Sequence, residues 1–197
     1  THIEGNHTKC VEYASNAPVQ DINKTLVTVV INHNVWAGTT YWWTDGSAIA
    51  YIPTYEEEAG FASLIHHESV GHGFGKLADE YINDEERIPA NIRLQHQRYS
   101  NNYGWYANVD FTDSPDRVKW SRFLNHPQYN YVDLFEGGFL YGKGVWRPEA
   151  VSCMDDNRPY FNAPSRYELV RRMKEFAGEP YSWEEFVAQD NVVPLSA

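Results

Sequence analysis

Residues 66–80 read HHESVGHGFGKLADE. Three histidines, a glutamate beside one of them, three glycines and an Asp-Glu pair crowd into one short stretch. Phe61, Leu64, Ile65 and Val70 give an apolar stripe, so Ala59 to Gly71 reads as a helix with a buried face. Its usable histidine pair, His67 and His72, is five residues apart. On a straight α-helix, with ~3.6 residues per turn, positions five apart diverge by about 140°. Such a pair cannot share one ion. A π-bulge removes the objection, because it makes five residues cover the turn that four usually cover, and such bulges gather at functional sites. Gly71, just before His72, eases the wider turn.

With one residue absorbed, the pair faces one way and Glu68 lies beside the first histidine. That places a general base next to two metal ligands, the arrangement of the helical HExxH zinc motif. The spacing HESVGH is similar to the HELLGH of the dipeptidyl peptidase III type of zinc peptidase. A catalytic zinc takes three protein ligands and leaves a position open. The third ligand is expected downstream. Gly75 stands three residues after His72, which resembles the metzincin peptidases, where a glycine there ends the helix and a later ligand returns to the metal. Asp79 is the candidate, its short side chain suiting a tight return, with Glu80 the alternative. Two other arrangements stay open: iron at the same two-histidine, one-carboxylate set, and Glu68 with His72, four apart, as ligands. His66 reads as a surface or packed histidine.

Upstream, Leu26 to Ile31 (LVTVVI) is a short β-branched run and reads as a buried strand. Thr40–Thr44 and Ser47–Ile52 flank Asp45-Gly46, a hairpin signal. SAIAYI, just before the histidine helix, fits either a substrate-binding edge strand or an ordinary internal one. Glu56, Glu57 and Glu58 favour a helix start there. Lys9 to Ser15 suggests a further helix. Asn83 to Trp120 lacks periodicity and reads as loops with short helices, Asp116–Leu124 among them, with His126-Pro127 as a stop. Leu134 to Arg147, with four glycines, suggests a loop or an irregular hairpin. Ser165 to Ala177 reads as a helix ended by Gly178. Ser182 to Gln189 reads as another, with Ser182 and Glu185 as its capping box.

A net charge of −11 with no basic stripe argues against a nucleic-acid partner. No apolar run approaches the ~20 residues that span a bilayer. Cys10 and Cys153 fit one disulfide or two free thiols. Two N-x-T sequons stand at Asn6 and Asn23. Starting at Thr1, the chain reads as a mature form or a fragment.

HESVGHGFGKLADEY and SCMDDNRPYFNAPSR (152–166), with EGGFLYGKGVWRPE before Met154, resemble the bacterial IgA-peptidase family of metallo-endopeptidases. The resemblance covers roughly residues 26–170. It implies an α+β, zincin/metzincin-like fold: a mixed twisted sheet packed on an active-site helix, then a largely irregular and helical part. It implies a single catalytic domain over 1–197, with subdomains of about 1–80 and 81–197, and its relatives' extra N-terminal β-rich domain missing. It implies one catalytic Zn2+ on His67, His72 and Asp79, Glu68 as base, and Met154 in a Met-turn below the metal. The expected activity is peptide-bond hydrolysis of a protein or peptide substrate by a secreted, periplasmic or cell-surface bacterial enzyme.

Tyr160 is a candidate donor to the oxyanion, or a packed aromatic. Arg147, Arg158 and Glu136 are candidates for the cleft border, or solvated loop charges. Two rival functions remain: a noncatalytic zincin-fold module binding protein or glycan, favoured by the many aromatics, and a metal-dependent amidase of cell-wall peptides.

Overall fold

A computed structural model describes residues 2–54 and 58–194. It is an α+β protein built as two units, Thr1–Phe74 and Gly75–Ala197, each with one three-stranded mixed sheet. In the first unit, helix α1 (His7–Ala14) is capped by the Asn6 side chain, which accepts from the Lys9 N–H. The sheet follows with strands β1 (Leu26–Ile31), β2 (Thr39–Trp42) and β3 (Ala48–Pro53) in the order β1-β3-β2. β3 runs parallel to β1 and antiparallel to β2, with Thr28 opposite Ala50 and Thr40 opposite Ala50 on the other side. The expected hairpin is present. Gly46 takes a φ of 102°, and the Asp45 carboxylate accepts from both the N–H and the hydroxyl of Ser47.

All six residues of β3 are buried, which explains its unbroken apolar sequence: a central strand covered on both faces needs no polar alternation. Ala50 and Ile52 pack on Leu64, Leu26, Phe61 and Ile65. Tyr51 meets Cys10 of α1 on the opposite face, hydroxyl to thiol at 3.4 Å. SAIAYI is therefore an internal strand, and its edge-strand alternative falls. β1 alternates half-buried and exposed residues toward its end, as suits an edge, and is less buried than its composition suggested.

Helix α2 (Glu58–Leu64) leads directly into a π-helix, Ile65–Phe74. Of the acidic run expected at its start, Glu56 and Glu57 lie outside the described residues. The sequon at Asn6 serves as a helix cap; the side chain of Asn23 is outside what is described.

The second unit departs most from expectation. Strand β4 (Ile82–Arg87) is exposed along its whole length, and helix α3 (Ala90–Tyr103) has no buried residue, so neither carries apolar periodicity. The expectation for this region is loops with short helices; it holds instead a strand and a 14-residue helix. Only its punctuation marked the helix: Pro89 before it, and Gly104 after it at a φ of 66°. Asp116–Leu124 forms turns rather than a helix, and Pro127 starts a short 3-10 turn, Pro127–Tyr129, capped by His126, instead of stopping one. Strands β5 (Phe135–Gly138) and β6 (Leu140–Arg147) make the irregular hairpin, and β4 joins β6 in parallel.

Helix α4 (Cys153–Asp156) is a single turn capped by Ser152. Helix α5 (Ala163–Ala177) starts two residues earlier than expected, because the Asn162 side chain, not Ser165, caps it. Gly178 ends it in the left-handed conformation, and Ser182 caps α6 (Trp183–Gln189) as expected. Val118, Trp120, Phe123, Tyr129, Val132, Ala163 and Phe186 form this unit's core. Both cysteines are free thiols, so the disulfide alternative falls; burial pushes the Cys153 thiol up to about 12. No helix among the described residues is long and apolar enough to cross a membrane.

Candidate metal centre

The widened turn that the histidine spacing demanded extends over all ten residues of the π-helix rather than one bulge. Its i→i+5 bonding stacks residues five apart. His67 and His72 accordingly meet edge to face, ring centroids 4.7 Å apart. Both are buried, as is Glu68 between them in sequence, while His66 is exposed. Gly71 and Gly73 both lie inside the helix. Gly73 has a packing reason: a Cβ there would come within 2.6 Å of Leu26 Cδ1 on β1. The Ser69 hydroxyl bonds that of Thr28 at 2.9 Å, a second tie to β1.

The helix ends at Phe74, but Gly75 does not make the reversal. Lys76, at a φ of 53°, takes the left-handed conformation. The chain after it is anchored residue by residue. Asn108 clamps Ala78 by accepting from its N–H and donating to its carbonyl, both at 2.8 Å. Phe139 N–H donates to the Asp79 carbonyl, and Leu140 N–H to that of Tyr81. Glu80 is fully buried. Its carboxylate accepts from the Ser152 hydroxyl (2.6 Å) and from the side-chain amides of Asn108 and Asn162 (both 2.7 Å), and its N–H donates to the Met154 carbonyl. Burial outweighs these bonds and raises the Glu80 carboxyl to about 7.

Glu80 thus ties LADE to the Ser152–Met154 turn, with both carboxylate oxygens hydrogen-bonded, and it lies outside the group of ligand atoms that could hold an ion. His67, His72 and Asp79 bring one ligand atom each to within 4.8 Å of one another, a group able to hold a metal ion. Two imidazole nitrogens and a carboxylate oxygen are donors that zinc accepts. Glu68 lies outside this group. Its carboxylate accepts instead from the Thr40 hydroxyl, Oγ1 to Oε2 at 2.6 Å.

Met154 is completely buried in α4. The Tyr160 hydroxyl donates to the buried Glu149 carboxylate at 2.6 Å, so its one proton is engaged there. Burial raises the Glu149 carboxyl, against the bonds it accepts from Tyr160 and the Ala163 N–H. The three candidate border charges are also engaged. Arg147 donates to the Gly137 carbonyl, Glu136 accepts from the Gly144 N–H, and Arg158 pairs with Asp156.

Sequence reasoning missed Thr40, Trp42 and Gly38, all of which touch the site from β2 or just before it. The period-two pattern of TTYW, which places Thr40 and Trp42 on one face, was the available signal. No protein-family model matches this chain, and no protein of curated function matches it either.

Proposed function

We propose that this chain is a zinc-dependent endopeptidase with a zincin, metzincin-like fold, related to the bacterial IgA-peptidase family that its two motifs resemble. One observation carries the reading: a π-helix sets His67 and His72 together, Asp79 joins them, and Glu68 is buried beside the pair. A histidine-rich helix without a metal has no need of that widened turn.

In this reading His67, His72 and Asp79 hold the ion. Bound zinc supplies a Lewis acid that polarises the scissile carbonyl and acidifies water. Glu68 takes a proton from the attacking water and returns it to the leaving amine, so it ends the cycle ionised as it began. Met154 forms the packed floor of the turn that Glu80 holds in place. The oxyanion role considered for Tyr160 needs a proton that it gives to Glu149 here. A peptide substrate pairing through its main chain would use an edge strand of the first sheet, β1 or β2, since β3 is internal. The setting is secreted, periplasmic or at the cell surface.

The test is elemental analysis joined to cleavage of fluorescein-labelled casein. We expect about one zinc per wild-type chain, lost in His72→Ala, by the three-ligand requirement. Glu68→Gln should keep the zinc and lose about 10²- to 10⁴-fold in rate. Wild-type protein that takes up no zinc overturns the reading. Zinc held by wild type and lost in His72→Ala, with no cleavage by wild type, points instead to a noncatalytic module.

A further inference from the structure

Strand β2 turns one face toward the π-helix. Residues two apart on a strand share a face, and Thr40 and Trp42 both use it. The Thr40 hydroxyl donates to Glu68 Oε2 at 2.6 Å, with the Glu68 carbonyl a further 3.0 Å contact. The Trp42 ring stacks on His72, 5.6 Å between centroids and 20° between planes. Gly38, two residues before Thr40, completes the arrangement. A Cβ built on it would lie 2.5 Å from Glu68 Oε1. Its φ is outside the left-handed region, so the backbone would accept alanine. The carboxylate is what excludes a side chain there.

The two oxygens of Glu68 therefore have different surroundings. Oε2 is fixed by a donor, and Oε1 borders space that only glycine leaves open. Building on the peptidase reading above, we propose that Thr40 is the positioning residue of Glu68. Its hydroxyl holds Oε2, so that Oε1, beside Gly38, is the oxygen that accepts the water's proton. The O–H bond of the water breaks to Oε1 as its oxygen bonds the carbonyl carbon. The same proton then moves from Oε1 to the amine nitrogen as the C–N bond breaks. Thr40 keeps its own proton throughout. A carboxylate on two further rotatable bonds would otherwise sample other orientations, and misplacement of about 1 Å costs on the order of 10²-fold.

The experiment compares wild type, Thr40→Val, Thr40→Ser and Gly38→Ala, all zinc-loaded, on fluorescein-labelled casein. Valine keeps the shape of threonine and removes the hydroxyl; serine restores it. We expect kcat to fall about 10- to 100-fold in Thr40→Val, with KM and zinc content unchanged, and to recover to within about threefold in Thr40→Ser. Gly38→Ala should lose rate to a similar degree while keeping its zinc. Full activity in Thr40→Val, or equal loss in valine and serine variants, overturns the proposal. If Thr40→Val melts several degrees lower than wild type, Gly38→Ala decides: lost rate with zinc retained supports the role, full rate overturns it.

If zinc-loaded wild type leaves casein uncut, the peptidase reading falls and acetohydroxamic acid becomes the probe. It sheds a proton as it binds a metal, and a nearby base favours that. Affinity weakened about tenfold in Thr40→Val and Glu68→Gln, but not in Thr40→Ser, keeps the positioning role; equal affinity in all four proteins overturns it. Wild type that binds no zinc overturns both.

Discussion

The two sheets of this protein have the same topology and are held by opposite means. Each has three strands with the last in sequence at the centre, parallel to the first and antiparallel to the second: β1-β3-β2 and β4-β6-β5. The first is built of side chains. Its register is unbroken, its centre is AIAYIP, and every residue of that strand is buried. The second is built of backbone. Its edge strand is INDEER, wholly exposed, and its register shifts three times. Gly137, Gly138, Phe139, Leu140 and Gly144 all take positive φ within it. The same pattern of pairing thus arises from burial in one case and from close chain approach in the other. The first sheet carries Thr40 and Trp42 to the π-helix. The second, through Phe139 and Leu140, holds the backbone that presents Asp79.

The largest effect should come from emptying the first sheet. Ile52 is fully buried against Leu64 and Phe61, and Ile52→Ala removes three methyl(ene) carbons that the strand cannot refill. A loss of about 2–5 kcal/mol in urea unfolding is expected. Hydrogen exchange should rise first in peptides covering 26–53. A loss below about 1 kcal/mol would mean that this sheet too is held by its backbone.

A smaller loss should follow from crowding the second. A Cβ at Gly142 would lie 2.9 Å from both the Cα and the carbonyl oxygen of Glu85, backbone atoms that cannot swing aside. Gly142→Ala should push β4 off β6 and cost about 1–3 kcal/mol. Exchange should rise in peptides spanning 82–87 and 140–147, with 26–53 unchanged. Equal exchange across the chain would break the contrast between the sheets.

That contrast explains what could be read from the sequence. LVTVVI, the Asp45-Gly46 turn and the Ser182 cap were legible because apolar runs and capping side chains act on near neighbours. INDEER and the polar helix α3 were not, because a strand exposed on all sides and a helix with no buried residue leave no period to find. In the candidate metal group, His67 and His72 were legible from their spacing and chemistry, and Asp79 as one of two carboxylates. The five-residue step between the histidines even required the wider turn, although nothing in composition told how far it would run. Glu80 was ambiguous with Asp79, since the partners that fill its oxygens, Asn108, Ser152 and Asn162, lie 28, 72 and 82 residues away. For the same reason the one-face pattern of Thr40 and Trp42 did not say what that face meets, and Gly38 gave no signal: both matter only once β2 lies along the helix.

The smallest expected effect tests how the second unit covers its backbone-built sheet. His96 of α3 lies against Phe139 at the β5–β6 turn, ring centroids 3.9 Å apart, and edge to face with Tyr106. Its Nδ1 is buried with no hydrogen-bond partner. Burial lowers its pKa from 6.5 to about 4. The folded state therefore holds the ring neutral at pH values where the unfolded chain has already taken a proton. By linkage, the stability this ring contributes is complete above about pH 6.5 and is lost as pH falls toward 4. Glu80, raised to about 7, acts in the opposite direction, losing stability as pH rises from 4.5 to 7. The wild-type slope alone mixes the two. The difference between wild type and His96→Phe isolates the histidine, because phenylalanine keeps the stacking and cannot ionise. Melting temperatures measured from pH 4 to 7 should converge or favour wild type at pH 7. They should separate in favour of His96→Phe as the pH drops. A difference that stays constant with pH would show that His96 takes its proton without leaving Phe139, so that the cover over this turn is open to water.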